Sequence, residues 1–251
     1  MIIDSHTHIP TPGHAGGHGF ILTPRAAVEY LRAAGTDAAL FNTWRGVKAR
    51  NVEDLNASNQ DAFDLRREFG GFLYPGASLS PEHPEASFEW LARFRGEGLL
   101  WVGELLPRHE PKCAFDDPPY MRLFEECARH GHIVQLHNGP DVKEVARRFP
   151  QMPVVCAHIP SEEECTALAA LPNVWMDLSG AAGGLRVGGM EGALRLFGPD
   201  RLFYGTDFTG YEPRCFQVRL SVAVPSAEDR EKILHRNITR LMAEAGSRAI
   251  V

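Results

Sequence analysis

Five separated places in this 251-residue chain carry residues that bind divalent ions: His6-Thr7-His8, Glu104, His137, His158 and Asp207. Each closes a short apolar run, at residues 2–6, 99–104, 133–137, 154–158 and 202–207. His6 and His8 stand at i and i+2, so on a strand both imidazoles project to one side about 6.5 Å apart, able to grip one ion. Asp207 can both coordinate an ion and accept a proton from water, whose pKa an ion lowers from ~15.7 toward ~7. His158 either holds a second ion or hydrogen-bonds the polarised oxygen of a substrate. Together these are the parts of a hydrolytic metal centre.

Residues this far apart meet only if parallel strands deliver them to one end of a barrel. The pattern supports that. Strand-like runs fall at 2–8, 37–43, 72–79, 99–105, 132–138, 153–159, 173–179 and 201–207, and amphipathic stretches separate them. Thr23 can cap the first helix, Pro24 suits its first turn, and Gly35 can end it in the left-handed region. Ser161 and Glu164 form a capping box. A last helix is predicted from Ala227 to Ala245, with Ile233, Leu234, Ile238, Leu241 and Met242 on one stripe. Eight strand–helix units in one domain, 1–251, predict an α/β fold closed as a (β/α)₈ TIM barrel rather than an open sheet, because the first strand runs into His-Thr-His and not into a glycine-rich turn.

The composition, 44% hydrophobic and 23% charged, suits a soluble enzyme and offers no run long enough to span a membrane. A net charge of −6 and the absence of a basic stripe argue against nucleic acid. The five cysteines, Cys113, Cys127, Cys156, Cys165 and Cys215, show no C-x-x-C pair, which with a first strand at the N-terminus predicts a reduced, cytoplasmic protein without a signal peptide. Cys156, two residues before His158, reads as apolar filler beneath the site.

Other residues near strand ends have two readings each. Asp4 shares the parity of His6 and His8, and either holds an imidazole or is a buried carboxylate low in the barrel. Trp44 and Arg45 follow the second strand and are candidates for substrate binding, Arg45 through a fork onto a carboxylate; packing on a neighbour is the competing account. His14 and His18 lie in the first loop over the mouth and read as loop residues. The glycine-rich stretch 180–189, which includes Arg186, reads as a flexible flap, since it lacks G-x-G-x-x-G. His83, His109, His130, His132 and His235 read as surface or helix-end residues.

The ordered set Ile3-Asp4-Ser5-His6-Thr7-His8, His137, His158 and Gly205-Thr206-Asp207 resembles the amidohydrolase superfamily, specifically the compact barrels of amidohydrolase family 2, which include hydrolases and decarboxylases. The stretch from Lys232 to Leu241 is similar to that family's closing helix, and the likeness covers essentially the whole chain. It implies one divalent ion, commonly zinc, on His6, His8, His137 and Asp207, with His158 as acid/base or carbonyl-polarising group. Glu104 departs from the carboxylated lysine of binuclear members and is closer to the strand-four glutamate of TatD-like deoxyribonucleases. It either bridges two ions or serves as a neighbouring or substrate-binding carboxylate.

The reading is a metal-dependent hydrolase of a small-molecule lactone, amide or ester. Water activated by the ion attacks a carbonyl that His158 helps polarise, and Asp207 shuttles the proton. The alternatives are a decarboxylase of the same fold and a TatD-like nuclease. A homodimer through outer helices is the expected assembly.

Overall fold

The computed structural model describes residues 1–14, 20–109 and 112–250; His18 therefore lies outside the described residues. Eight parallel strands alternate with helices: β1 (Ile3–Ile9), β2 (Ala38–Thr43), β3 (Leu73–Pro75), β4 (Trp101–Leu105), β5 (Ile133–His137), β6 (Val154–Ala157), β7 (Val174–Asp177) and β8 (Leu202–Phe203). They form two ladders, β1-β2-β3 and β4-β5-β6-β7-β8. Backbone hydrogen bonds join the ladders at both seams. Ala77 N donates to Trp101 O and Gly103 N to Ala77 O, each at 2.9 Å. Ser5 N donates to Tyr204 O and Asp207 N to His6 O, also at 2.9 Å. The ring is closed, and the fold is a (β/α)₈ TIM barrel.

Most strands are trimmed relative to the predicted runs, and β3 and β8 the most, for local reasons. β3 ends at Pro75, which has no N–H to extend a ladder. At Gly76 the backbone comes so close to β4 that a Cβ would collide with the carbonyl of Gly103. β8 stops at Phe203 because Tyr204 N turns outward to Ile233 O, at 2.9 Å. That bond draws the C-terminal helix against the barrel and interrupts it. It runs Ala227–Glu231, then one π-helical turn Lys232–Arg236, then Asn237–Glu244. Asn237 Nδ2 completes the join by donating to Pro199 O at 2.7 Å and Leu202 O at 2.9 Å.

The first helix, Pro24–Ala33, is capped as expected: the Thr23 side chain accepts from Ala26 N, and Gly35 follows with φ +86°. Its buried face is Ala27, Val28 and Leu31; burying Leu31 alone contributes roughly 1.5–3 kcal/mol. The capping box of Ser161 and Glu164 also forms. The helices pack this way onto the outward faces of the strands, leaving the inward faces to polar residues near the C-terminal mouth.

His132, expected at the surface, is instead fully buried just before β5. Its Nδ1 lies 3.3 Å from Leu100 O, while Nε2 has no partner among the described residues. Burial pushes its pKa down to about 4. The folded protein therefore keeps it neutral, while the unfolded chain, near 6.5, takes up the proton first. Its contribution is complete above pH 6.5 and is lost as pH falls toward 4. At pH 5 the loss is about 2 kcal/mol. His132→Leu is expected to gain that amount on the wild type between pH 7.5 and pH 5 in urea unfolding. Parallel pH profiles for the two proteins would disprove it.

Candidate metal centre

The alternation of β1 sends Asp4, His6 and His8 inward, and all three are buried. His6 Nε2 and His8 Nε2 face each other at 3.2 Å. Glu104, near the end of β4, places Oε2 3.4 Å from both nitrogens. Asp207, beyond β8, places Oδ1 3.8 Å from His6 Nε2 and 3.3 Å from His8 Nε2. Four ligands at ~2.0–2.1 Å from a tetrahedral ion stand about 3.3–3.4 Å from one another. Four of the five separations measured here, 3.2–3.4 Å, are close to those edges and the fifth, Asp207 to His6 at 3.8 Å, is longer; the donors gather as two sets that share His6, one with Glu104 and His158 and one with His8 and Asp207.

The second oxygen of Glu104 serves another pair. Oε1 lies 2.8 Å from His137 Nδ1 and 3.4 Å from His158 Nε2. The first of these is a hydrogen-bond distance, so His137 joins the cluster through Glu104. His158 stacks on His6 with ring centroids 4.9 Å apart and meets the His137 ring edge-on, also at 4.9 Å. All six residues singled out for metal chemistry thus converge on one point at the C-terminal mouth. His158 and Asp207 both have positive φ, 65° and 63°. For a non-glycine residue that costs on the order of 1 kcal/mol, and it turns each side chain back across the mouth.

The electrostatics call for a cation. Burial lowers the pKa of His6, but the carboxylates of Asp177 and Glu104 outweigh it and hold the imidazole well above its usual value. Burial raises Glu104, yet the charge of His6 and hydrogen bonds from His137 and His158 keep it well below the ordinary range. Asp207 is lowered in the same way, against burial, first by the hydrogen bond from His8 and then by the charge of His6. Ionised carboxylates packed in a low-dielectric pocket raise the neighbouring imidazoles because positive charge is wanted there. A divalent ion answers that need through neutral imidazoles and fits the residues present.

Three supporting residues escaped the sequence reading. Asp177, at the end of β7, accepts from His6 Nδ1 at 3.0 Å, Gln135 Nε2 at 2.7 Å and the His158 backbone N–H at 3.1 Å. Ser179 donates its hydroxyl proton to Asp177 Oδ1. Ser179 Oγ in turn lies 2.8 Å from His158 Nδ1, which accordingly donates to it. Asp177 is therefore the carboxylate that orients an imidazole, the role first considered for Asp4. Asp4 instead ties β1 to β8, accepting from Thr206 N at 3.1 Å and Thr206 Oγ1 at 2.6 Å. Burial raises its pKa to about 7. Asp177 carries the same signature that singled out Asp207, a carboxylate closing an apolar run.

The remaining candidates are placed as follows. Arg45 is paired with Asp61 at 3.2 Å, and its Nε donates to His14 Nδ1 at 3.3 Å. Trp44 is buried, its ring centred 4.6 Å from that of His8. The glycine-rich stretch is no open flap: Gly180, Gly183 and Gly184 are buried in a π-helical turn, Gly180–Gly184. A Cβ on Gly180 would lie 2.6 Å from His158 Nδ1, so these glycines form a close wall behind that ring. Arg186 holds the wall in place through a hydrogen bond to Pro160 O at 2.6 Å. Cys156 is buried filler, its thiol pushed well up by burial. His130 and His235 sit on Glu126 and Glu231 on helix surfaces, as expected.

The cluster opens to solvent through His137, whose side chain is 38% exposed, and Asp207, at 20%. Beside His137 is a cavity of about 580 Å³ whose walls include Leu106, Pro107, Ala114, Asn138 and Pro140, with Lys112 at its rim. That is within the usual range for a small-molecule site.

Comparison with known proteins agrees with this architecture. The family profile described as amidohydrolase matches residues 3–242. No curated protein sequence matches the chain. Among solved structures, a 2,6-dihydroxybenzoate decarboxylase bound to 2,6-dihydroxybenzoate superposes with TM-score 0.78 at 14% identity, covering 96% of this chain and 99% of that one. A putative 2-pyrone-4,6-dicarboxylic acid hydrolase from Pseudomonas putida gives 0.76 at 17% identity, covering 96% and 97%. An amidohydrolase from Burkholderia multivorans with bound zinc gives 0.73 at 19% identity, covering 97% and 99%. At such identities the likeness speaks for the fold. The profile, spanning almost every residue, shows the family: this chain belongs to the amidohydrolases.

Proposed function

We propose that the protein is a metal-dependent hydrolase of a small ester, lactone or amide, with one divalent ion, zinc by preference, held by His6, His8, Glu104 and Asp207. The observation that carries this reading is the set of donor separations around His6 and His8, 3.2–3.4 Å for four of the five and 3.8 Å from Asp207 to His6, close to the ligand spacing of a tetrahedral ion. Bound there, the ion would supply Lewis-acid chemistry, making water acidic near neutral pH and polarising a carbonyl oxygen. The protein supplies the rest. Asp207, ionised and partly exposed, accepts the proton of the attacking water and can pass it to the leaving group. His158 acts as the imidazolium, which burial disfavours but the Glu104 carboxylate favours more: Nδ1–H is committed to Ser179, and Nε2–H, 3.4 Å from Glu104 Oε1, is the proton that can be donated to the substrate oxygen. His137 donates to Glu104 and leaves that carboxylate's other oxygen for the ion. The cavity beside His137 would take the substrate's body.

Likeness to the pyrone hydrolase supports hydrolysis, and likeness to the decarboxylase supports loss of CO₂ as the second reading. Arg45 does not strengthen the latter, because its charge is already paired with Asp61. A net charge of −6 speaks against a nuclease. The test is a panel of lactones, aryl esters, amides and hydroxybenzoates, each run with and without chelator. Hydrolysis that stops on chelation and returns with Zn²⁺ is the expected result. CO₂ release from a hydroxybenzoate would transfer the assignment to the decarboxylases, and hydrolysis indifferent to chelator would refute the metal-dependent mechanism.

A further inference from the structure

The two histidines of the H-x-H pair are held in different ways. His6 has the usual arrangement for an imidazole that ligates through Nε2: its Nδ1 faces the carboxylate of Asp177 at 3.0 Å. His8 Nδ1, equally buried, has no hydrogen-bond partner among the described residues. What lies against the His8 ring is Trp44, with centroids 4.6 Å apart and planes inclined at 37°. Trp44 is itself anchored: Nε1 donates to Thr209 Oγ1 at 3.0 Å. Thr209 is buried and stands two residues after Asp207, so the indole bridges the start of the helix after β2 to the segment that carries the carboxylate.

Resting on the metal reading above, we propose that Trp44 is a positioning residue for the ion: its indole face fixes the plane of His8 in place of a hydrogen bond, and its bond to Thr209 couples His8 to Asp207. One side chain then governs two of the four donors. An aromatic face orients the imidazole without adding the negative charge that Asp177 lends to His6, so His8 is the less basic ligand of the pair.

The experiment is titration of the chelator-treated full-length protein with Co²⁺, reading affinity by competition with a chromophoric chelator and geometry from the visible absorption of bound Co²⁺. Trp44→Leu, which removes the aromatic face, is expected to weaken Co²⁺ binding about 10- to 100-fold and to alter the absorption envelope. Trp44→Phe keeps a ring on His8 but also loses the N–H that reaches Thr209, so it should weaken binding by less than Trp44→Leu, about 3- to 10-fold. Thr209→Val, which cuts the anchor and leaves the indole, should weaken it measurably but no more than Trp44→Phe does. Circular dichroism of the metal-free proteins separates ligand misplacement from lost folding, and should Trp44→Leu fail to fold, the ordering of Trp44→Phe and Thr209→Val against wild type decides. Wild-type affinity and spectrum in Trp44→Leu, or in both other variants if it is unfolded, would overturn the proposal. No Co²⁺ binding by the wild type would overturn the metal reading itself.

Discussion

His158→Ala is expected to keep about one ion per chain and to lose turnover by about 10²- to 10⁴-fold, the range for a missing acid/base or hydrogen-bonding group. The expectation follows from where the ring sits. His158 Nε2 reaches Glu104 Oε1, the oxygen turned away from His6 and His8, so removing it leaves the four proposed donors in place. Its Nδ1 is fixed on Ser179, and the glycine wall stands directly behind the ring. So much positioning of a residue that need not hold the ion argues for a role toward substrate. Metal analysis beside steady-state kinetics checks it. Loss of the ion along with activity would make His158 a ligand and revive the two-ion arrangement, in which Glu104 bridges and His137 joins His158.

Asp177→Ala should produce the largest loss of stability at the site, about 3–5 kcal/mol, because it removes one partner of a buried charged pair. The carboxylate is inaccessible to solvent and accepts from His6, Gln135, the backbone of His158 and Ser179. Its pKa lies well below the usual aspartate value, against burial, chiefly through the charge of His6. Without it five donors, counting both the N–H and the hydroxyl of Ser179, lose their acceptor in a space water cannot easily enter. His6 also loses the group that aims it, so metal affinity should drop about 10- to 100-fold. Urea unfolding and Co²⁺ competition measure the two effects. A stability change below about 1 kcal/mol would mean that the network tolerates an uncharged centre.

What could be read from the sequence was whatever depended on strand parity. His6 and His8 declare themselves by their i, i+2 spacing, and Glu104, His137, His158 and Asp207 by closing apolar runs, so the barrel and its cluster of side chains follow from one rule. Asp177 obeys that rule too and went unread because no metal motif drew attention to strand seven. Trp44 and Arg45 were found by position, but the direction of a side chain at the first turn of a helix depends on packing. The Arg45–Asp61 pair joins two helices, and the indole meets Thr209 only once the barrel has closed. Glycine density between residues 180 and 189 suggested mobility. In the structure, absence of a Cβ serves close approach to His158 instead, and sequence alone does not separate those two uses of glycine.

The division of Glu104 between its two oxygens is the feature on which a one-ion centre rests, and metal content reads it directly. The decisive measurement is the metal-to-protein ratio by elemental analysis after loading with Zn²⁺ and dialysis, for the wild type and for the double variant His6→Ala/His8→Ala. About one ion per chain is expected in the wild type and none in the double variant, with circular dichroism showing the barrel intact. Full occupancy in the double variant would contradict it outright.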